Sequence, residues 1–371
     1  MVDDALARRV AVLSSCNRIL SGLRPVTMRA RLASLAAMPE SDGWPDRYGD
    51  GPVTILEERV AGLLGCQAGV FFPTGTMAQQ VALRFWAQRT GNTFVAMHPL
   101  SHLEMHERHA YASLSGLHPI WPTDEPRPVT AADVTGIAEP FGSLTLELPL
   151  RDAGYLLPSW SELGATVSAA RARGARVHID GARLWESTSH LGQPLTAIAG
   201  LADSVYVSFY KSLGALYGAI LAGPEDLAGY ARAWRHRYGG QLFQQWPGAL
   251  SALAALDSEL PVLGELVGHA AVVASALSAV PGARVSPCPP HTHQFRFWLP
   301  YAADDLNEAA LGLGEEDKVW FIGGWRDAGV PGVSVAEVTV GRPALEWTAD
   351  YVAEMAQRFL ERLPAAQGAT N

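Results

Sequence analysis

Two residues carry most of the chemical potential of this chain, Asp180 and Lys211. Asp180 closes the run Val177-His178-Ile179-Asp180 and is followed by Gly181-Ala182-Arg183-Leu184-Trp185. A short β-branched run that ends in an acid and a glycine is how a buried strand delivers a carboxylate to the carboxyl edge of a sheet. Lys211 follows Ser204-Val205-Tyr206-Val207-Ser208-Phe209-Tyr210, whose alternation predicts a second strand. Taken singly, an aspartate caps a turn and a lysine ends a strand in solvent. As a pair on neighbouring strand ends they suit pyridoxal phosphate, whose aldehyde needs an amine and whose ring nitrogen needs a carboxylate to stay protonated.

A cofactor of that kind also needs a phosphate site. Gly69-Val70-Phe71-Phe72 reads as a strand, Thr74-Gly75-Thr76 as a turn, and the following residues as a helix with apolar positions at 77, 78, 81, 82, 85 and 86. Thr74 is the expected N-cap, and the free amides and dipole of the first turn form the anion site.

With these pieces in place the chain resembles the threonine aldolase group of fold-type-I pyridoxal-phosphate enzymes, grouped with the β-eliminating lyases. The resemblance rests on Phe72-Pro-Thr-Gly-Thr-Met-Ala, His102 with Glu107 five residues on, His178-Ile-Asp-Gly-Ala-Arg-Leu and Lys211-Ser-Leu-Gly-Ala, and it covers about residues 40 to 245. It implies that Lys211 is the Schiff-base lysine, that Asp180 faces the ring nitrogen and that His102 stacks on the ring. Thr74, Gly75, Thr76, Arg183 and Ser208 complete the implied cofactor site. Arg183 is expected on the ring hydroxyl or on the substrate carboxylate, or else in an ion pair with Glu186 or Asp203.

Several positions depart from that family's pattern. The serine of an Asp-x-Arg-Ser-Asp arm is missing, with Ser21 the nearest substitute. Where the family carries Glu-Asn-Thr-His, this chain has Glu147-Leu148-Pro149-Leu150, so the histidine that lies on the substrate hydroxyl is a leucine. Phe243 stands where an arginine often reaches phosphate, which moves that expectation to Arg232, Arg235 or Arg237. The substrate-carboxylate arginine falls near Ala336, leaving Arg326, Arg342 or His293 as substitutes. Leu150, with Trp185 and Phe243 if they face inward, would make an apolar pocket that favours phenylserine-like substrates over threonine.

His102, His106 and His109 share a face if their segment is helical, yet no metalloenzyme motif surrounds them, and no metal is expected. The helices and strands alternate as an α/β protein requires. The expected fold is a fold-type-I large domain with a mainly parallel sheet plus a small α+β C-terminal domain. The expected division is an N-terminal helix and arm over 1–50, a cofactor domain over 51–246 and a small domain over 247–371, with a disordered tail from Ala365. At 371 residues, 48% apolar and a net charge of −9, the chain has no basic stripe for nucleic acid. Three cysteines without disulfide or metal spacing point to a reducing, cytoplasmic setting, and no apolar run suggests a membrane span. The eleven tryptophans suit the contacts of a homodimer or homotetramer.

The implied activity is cleavage of the Cα–Cβ bond of a β-hydroxy-α-amino acid to glycine and an aldehyde. β-Elimination or transamination on the same cofactor is the alternative, as is a non-catalytic relative of the fold. Retention of Lys211 and Asp180 argues against the last.

Overall fold

The computed structural model describes residues 2–364 and divides into two compact units, Arg29–Val262 and Met1–Met28 with Leu263–Asn371. The boundary therefore falls at 262 rather than 246. The first 28 residues belong with the C-terminal portion rather than forming an arm of their own. The tail from Ala365 lies outside the described residues.

The larger unit is built on a seven-stranded sheet: β1 Ala68–Phe72, β2 Phe94–Met97, β3 His118–Ile120, β4 Ser143–Glu147, β5 Arg176–Gly181, β6 Ser204–Ser208 and β7 Ala219–Gly223. Their order is β1-β7-β6-β5-β4-β2-β3, parallel throughout except that β7 runs antiparallel to both its neighbours. β4, β5, β6 and β7 are almost wholly buried, as their near-continuous apolar sequences require of strands covered on both faces. The helix Gly75–Thr90 lays Ala78, Val81, Ala82, Phe85 and Trp86 against Val70, Phe72, Tyr206 and Leu221 of the sheet. The helix Pro52–Leu64 packs on β1 and β7, and Trp160–Ala172, capped by Ser159, packs on β5. Strands β1, β2, β4, β5 and β6 share one direction, so their carboxyl ends open at one edge of the sheet. Ligands of open α/β sheets bind at that edge.

The smaller unit has a four-stranded antiparallel sheet in the order Arg326–Val330, Val333–Thr339, Gln294–Leu299, Arg284–Ser286. The helices Leu263–Ser278, Ala303–Glu316 and Ala349–Leu360 contribute to its apolar core around Phe295, Phe297, Phe321, Trp347 and Phe359. Helix Val2–Ser15 packs on Ala303–Glu316.

One expectation needs correction. The helical stretch Trp246–Ser278 is long and apolar enough, at a mean hydropathy of 1.6, to qualify as a membrane span by length and composition. It is interrupted by the 3-10 turn Leu260–Val262, and its two halves bury Leu250, Leu253 and Leu256, and Leu266, Val273 and Leu277. Those buried faces are what core helices require, and the apolar composition follows from them.

Candidate active site

The carboxyl edge of the large sheet gathers what the sequence placed at five separate positions. β1 leads to Thr74–Thr76, β2 to His102, β4 ends at Glu147, β5 delivers Asp180 and β6 leads to Lys211. Asp180 is fully buried, and its Oδ1 accepts the Ala182 amide at 3.1 Å. Oδ2 has no well-formed hydrogen bond, although the Gln79 amide stands near enough to favour the charge. Burial raises the Asp180 carboxyl and lowers the Lys211 amine, and the attraction between them restores part of both charges. A lowered amine favours the neutral form that acts as a nucleophile.

The strand end around Asp180 is locked from behind. His178 lies one turn of the pleat earlier, with Nε2 2.6 Å from Gln79 Oε1 and Nδ1 2.7 Å from Ser204 Oγ, and burial pushes it down to about 3. The neutral ring ties β5 to the helix Gly75–Thr90 and to β6. Ser208 Oγ donates to Ala182 O at 2.8 Å, Trp185 Nε1 donates to Ser208 O at 2.9 Å, and Ser212 Oγ donates to Glu186 Oε1 at 2.6 Å. These three bonds hold the Asp180 and Lys211 strand ends together. Ser208, expected on the cofactor, spends its proton on that clamp.

At the phosphate turn Thr74 Oγ1 accepts from Met77 N at 3.3 Å, which leaves the earlier amides of the helix facing outward. Gly75 is required there because a Cβ would run into the Tyr206 hydroxyl. Behind the turn Glu107 accepts from Gln80 Nε2 at 3.1 Å and from Thr76, and burial beside Asp180 raises it to about 7.

His102 opens a short helix and its amide donates to Glu147 Oε2 at 2.8 Å. Burial, with Lys211 and Arg183 nearby, drives its ring down to about 3, so it stays neutral. Glu147 is raised to about 8 by burial and by Asp180. Arg183 lies 5.5 Å from the Tyr155 ring, and its buried Nε has no hydrogen-bond partner. Asp203, one suggested partner, is taken instead by Arg176 at 2.9 Å.

Other sequence expectations do not assemble. The segment His102–His109 is not one helix: it ends at Met105, and Arg108 and His109 turn left-handed, so the three histidines share no helical face. Arg235 is bonded to Glu57 and to Phe71 O, Arg232 pairs with Glu57 and Glu225, and Arg237 stacks on Trp234. The apolar substrate pocket also fails. Leu150 is buried, pairs with Leu156 and lines a small cavity with His98, Val129 and Leu163. Trp185 is in the core against Phe209, and Phe243 is exposed against Tyr48. The argument for phenylserine over threonine loses its basis. Ser21 Oγ accepts the Thr339 amide, and Arg326 pairs with Glu337 at 3.9 Å, both within the smaller unit. Sequence reasoning missed Arg151, Asp152 and Tyr155, carried on the loop after Leu150, and Gln79 on the helix face. Only the polarity of the loop hinted at the former.

A family model described as beta-eliminating lyase matches residues 26–297. Aldolase vrtJ of Penicillium aethiopicum is 35% identical over 247 residues, which is 64% of this chain, and the chain spans 61% of that protein's length. The low specificity L-threonine aldolase of Escherichia coli (strain K12) is 28% identical over 264 residues, 67% of this chain and 75% of that one. Among solved structures, a Listeria monocytogenes EGD-E protein provisionally described as an L-allo-threonine aldolase superposes with a TM-score of 0.90 at 32% identity, covering 97% of this chain and 100% of that one.

Proposed function

The chain belongs to the beta-eliminating lyase family of pyridoxal-phosphate enzymes, and from that premise we propose that it cleaves β-hydroxy-α-amino acids between Cα and Cβ to give glycine and an aldehyde. The observation that carries this reading is the buried Asp180, with one carboxylate oxygen lacking a well-formed bond, on the strand end beside the half-buried Lys211. The donor set fits the cofactor. Lys211 Nζ would hold its aldehyde carbon, Asp180 its ring nitrogen, His102 its face and the first-turn amides after Thr74 its phosphate. Bound there, pyridoxal phosphate supplies a sink for the electrons released at Cα.

The chain's own residues do the rest. Asp180 Oδ2 holds a proton on the ring nitrogen, and Gln79 and His178 keep that carboxylate aligned. Arg183 presents its guanidinium to the substrate carboxylate, steadied by Tyr155. Glu147 and Glu107 carry protons near neutral pH, which keeps the site from accumulating negative charge around Asp180. Aldol cleavage is favoured over β-elimination and transamination by the likeness to proteins named for aldolase activity.

Incubation of the purified protein with threonine, allo-threonine and phenylserine, followed by proton NMR, tests this. Glycine and the matching aldehyde are expected. Ammonia with a 2-oxo acid would replace aldol cleavage by elimination or transamination, and absence of any cofactor absorbance would sink the whole reading.

The protein is further proposed to work as a cytoplasmic homodimer or homotetramer. Supporting this, Trp44 is 93% exposed beside a groove lined by Pro45, Pro52, Trp246 and Leu250, and Leu32 and Phe243 are exposed on the same unit. Cys16, Cys66 and Cys288 are free, as a reducing compartment keeps them.

A further inference from the structure

Cleavage as proposed requires an acceptor for the β-hydroxyl proton as the Cα–Cβ bond breaks. The buried groups around Lys211 are poorly suited to it. His102 is pushed down to about 3, Glu147 holds its own proton and accepts the amides of His102 and Arg151, and Glu107 is bonded to Gln80 and Thr76 on the phosphate side. Leu150 has no proton to exchange.

His106 is different. Its ring centroid lies 5.0 Å from that of His102 at an interplanar angle of 36°, one ring beyond the group that faces the cofactor site. Its Nε2 is 2.6 Å from Asp152 Oδ2. Arg151 braces the carboxylate, with one guanidinium nitrogen 3.2 Å from Asp152 Oδ1. A carboxylate at Nε2 fixes the proton there and leaves Nδ1 as the basic lone pair. The Asp152 side chain is only 15% exposed, whereas His106 at 38% keeps a path to water. The Arg151 guanidinium also lowers the Lys211 amine electrostatically.

We propose that His106, oriented by Asp152 and Arg151, accepts the β-hydroxyl proton. This rests on the proposed aldol cleavage. The O–H bond breaks toward His106 Nδ1, the oxygen lone pair becomes the aldehyde C=O, and the Cα–Cβ pair passes to Cα and the cofactor. The balance closes when Cα takes up a proton to give glycine and the imidazolium loses one to water. Asp152 and Arg151 are positioning residues. Among the described residues, the titratable and charged groups that meet His106 are His102, Asp152 and Arg151.

The holoenzyme forms of wild type, H106N and D152N are compared with a β-hydroxy amino acid that wild type cleaves. H106N should lose kcat by about 10²–10⁴-fold, the worth of a general base. KM and cofactor absorbance should change little, and added imidazole should restore part of the rate. Nitrogen NMR of the cofactor-free protein should show the Nε2–H tautomer at residue 106, lost in D152N. Unchanged cleavage by H106N, loss of cofactor binding together with cleavage, or an Nδ1–H tautomer in wild type each overturn the assignment. A wild type that releases no glycine overturns the proposed function and this inference with it, whereas wild-type release with an undiminished H106N overturns this inference alone.

Discussion

Asp180 and Lys211 are each costly where they stand, since an unpaired buried charge is tolerated only where something compensates it. That cost is the physical signature of a site built around an incoming group. Lys211→Ala should abolish covalent attachment of the cofactor. Borohydride reduction followed by peptide mapping checks this, and label on another lysine would refute the assignment. Asp180→Asn should leave a folded protein that binds cofactor yet turns over several orders of magnitude more slowly, because an amide cannot hold the ring nitrogen protonated. The buried acids also set the pH response of the cofactor-free protein. Glu147 is raised from 4.5 to about 8 and Glu107 and Glu186 to about 7, so the folded chain binds extra protons in that window. Their stability contribution is complete below pH 4.5 and is lost as pH rises to about 8. His178 runs the other way: lowered from 6.5 to about 3, its contribution is lost as pH falls through that range. Denaturant midpoints should therefore fall from pH 6.5 to 8, and Glu147→Gln should flatten that slope.

At the scale of elements, what was legible in the sequence was what local pattern determines. Gln294–Leu299 alternates and is a strand over those residues, and the Asp180 and Lys211 strands lie side by side as their shared chemistry required. The turn at Thr74–Thr76 was legible for the same reason, as a small-residue cap before an apolar helical repeat. The loop after Leu148 was not, because its path depends on Leu150 pairing with Leu156, a contact no local periodicity announces. Nor was the break after Met105, which turns His106 toward Asp152. Gly75 shows how tightly the phosphate turn is built. Gly75→Ala would drive a methyl into Tyr206, an overpacking worth about 1–3 kcal/mol. Cofactor affinity, measured by titration against absorbance, should fall about tenfold or more. Tyr206→Phe in the same chain should recover part of it, and an unaffected Gly75→Ala would show that the turn has room to spare.

For the whole molecule, the alternation of helices and strands pointed to the class of fold, while one apolar stretch is ambiguous from its sequence alone. Trp246–Ser278 is apolar for the same reason a membrane span is, namely burial, and only tertiary packing tells them apart. The same ambiguity applies to surface apolar groups, which mark either an interface or nothing. Trp44 is almost fully exposed next to a groove, with Leu32 and Phe243 on the same unit, and an exposed large aromatic of this kind suits the proposed contact with a second copy. If that contact forms, wild-type protein at micromolar concentration should scatter light with at least twice the monomer mass. Trp44→Asp should shift the equilibrium toward monomer by at least about tenfold in Kd, since anchor residues are worth about 2 kcal/mol or more. The substitution touches no residue that holds Asp180 or Lys211, so cofactor binding by the monomer that forms separates assembly from site integrity. An unchanged mass for Trp44→Asp would move the interface elsewhere on the surface, and a monomeric wild type would remove the dimer.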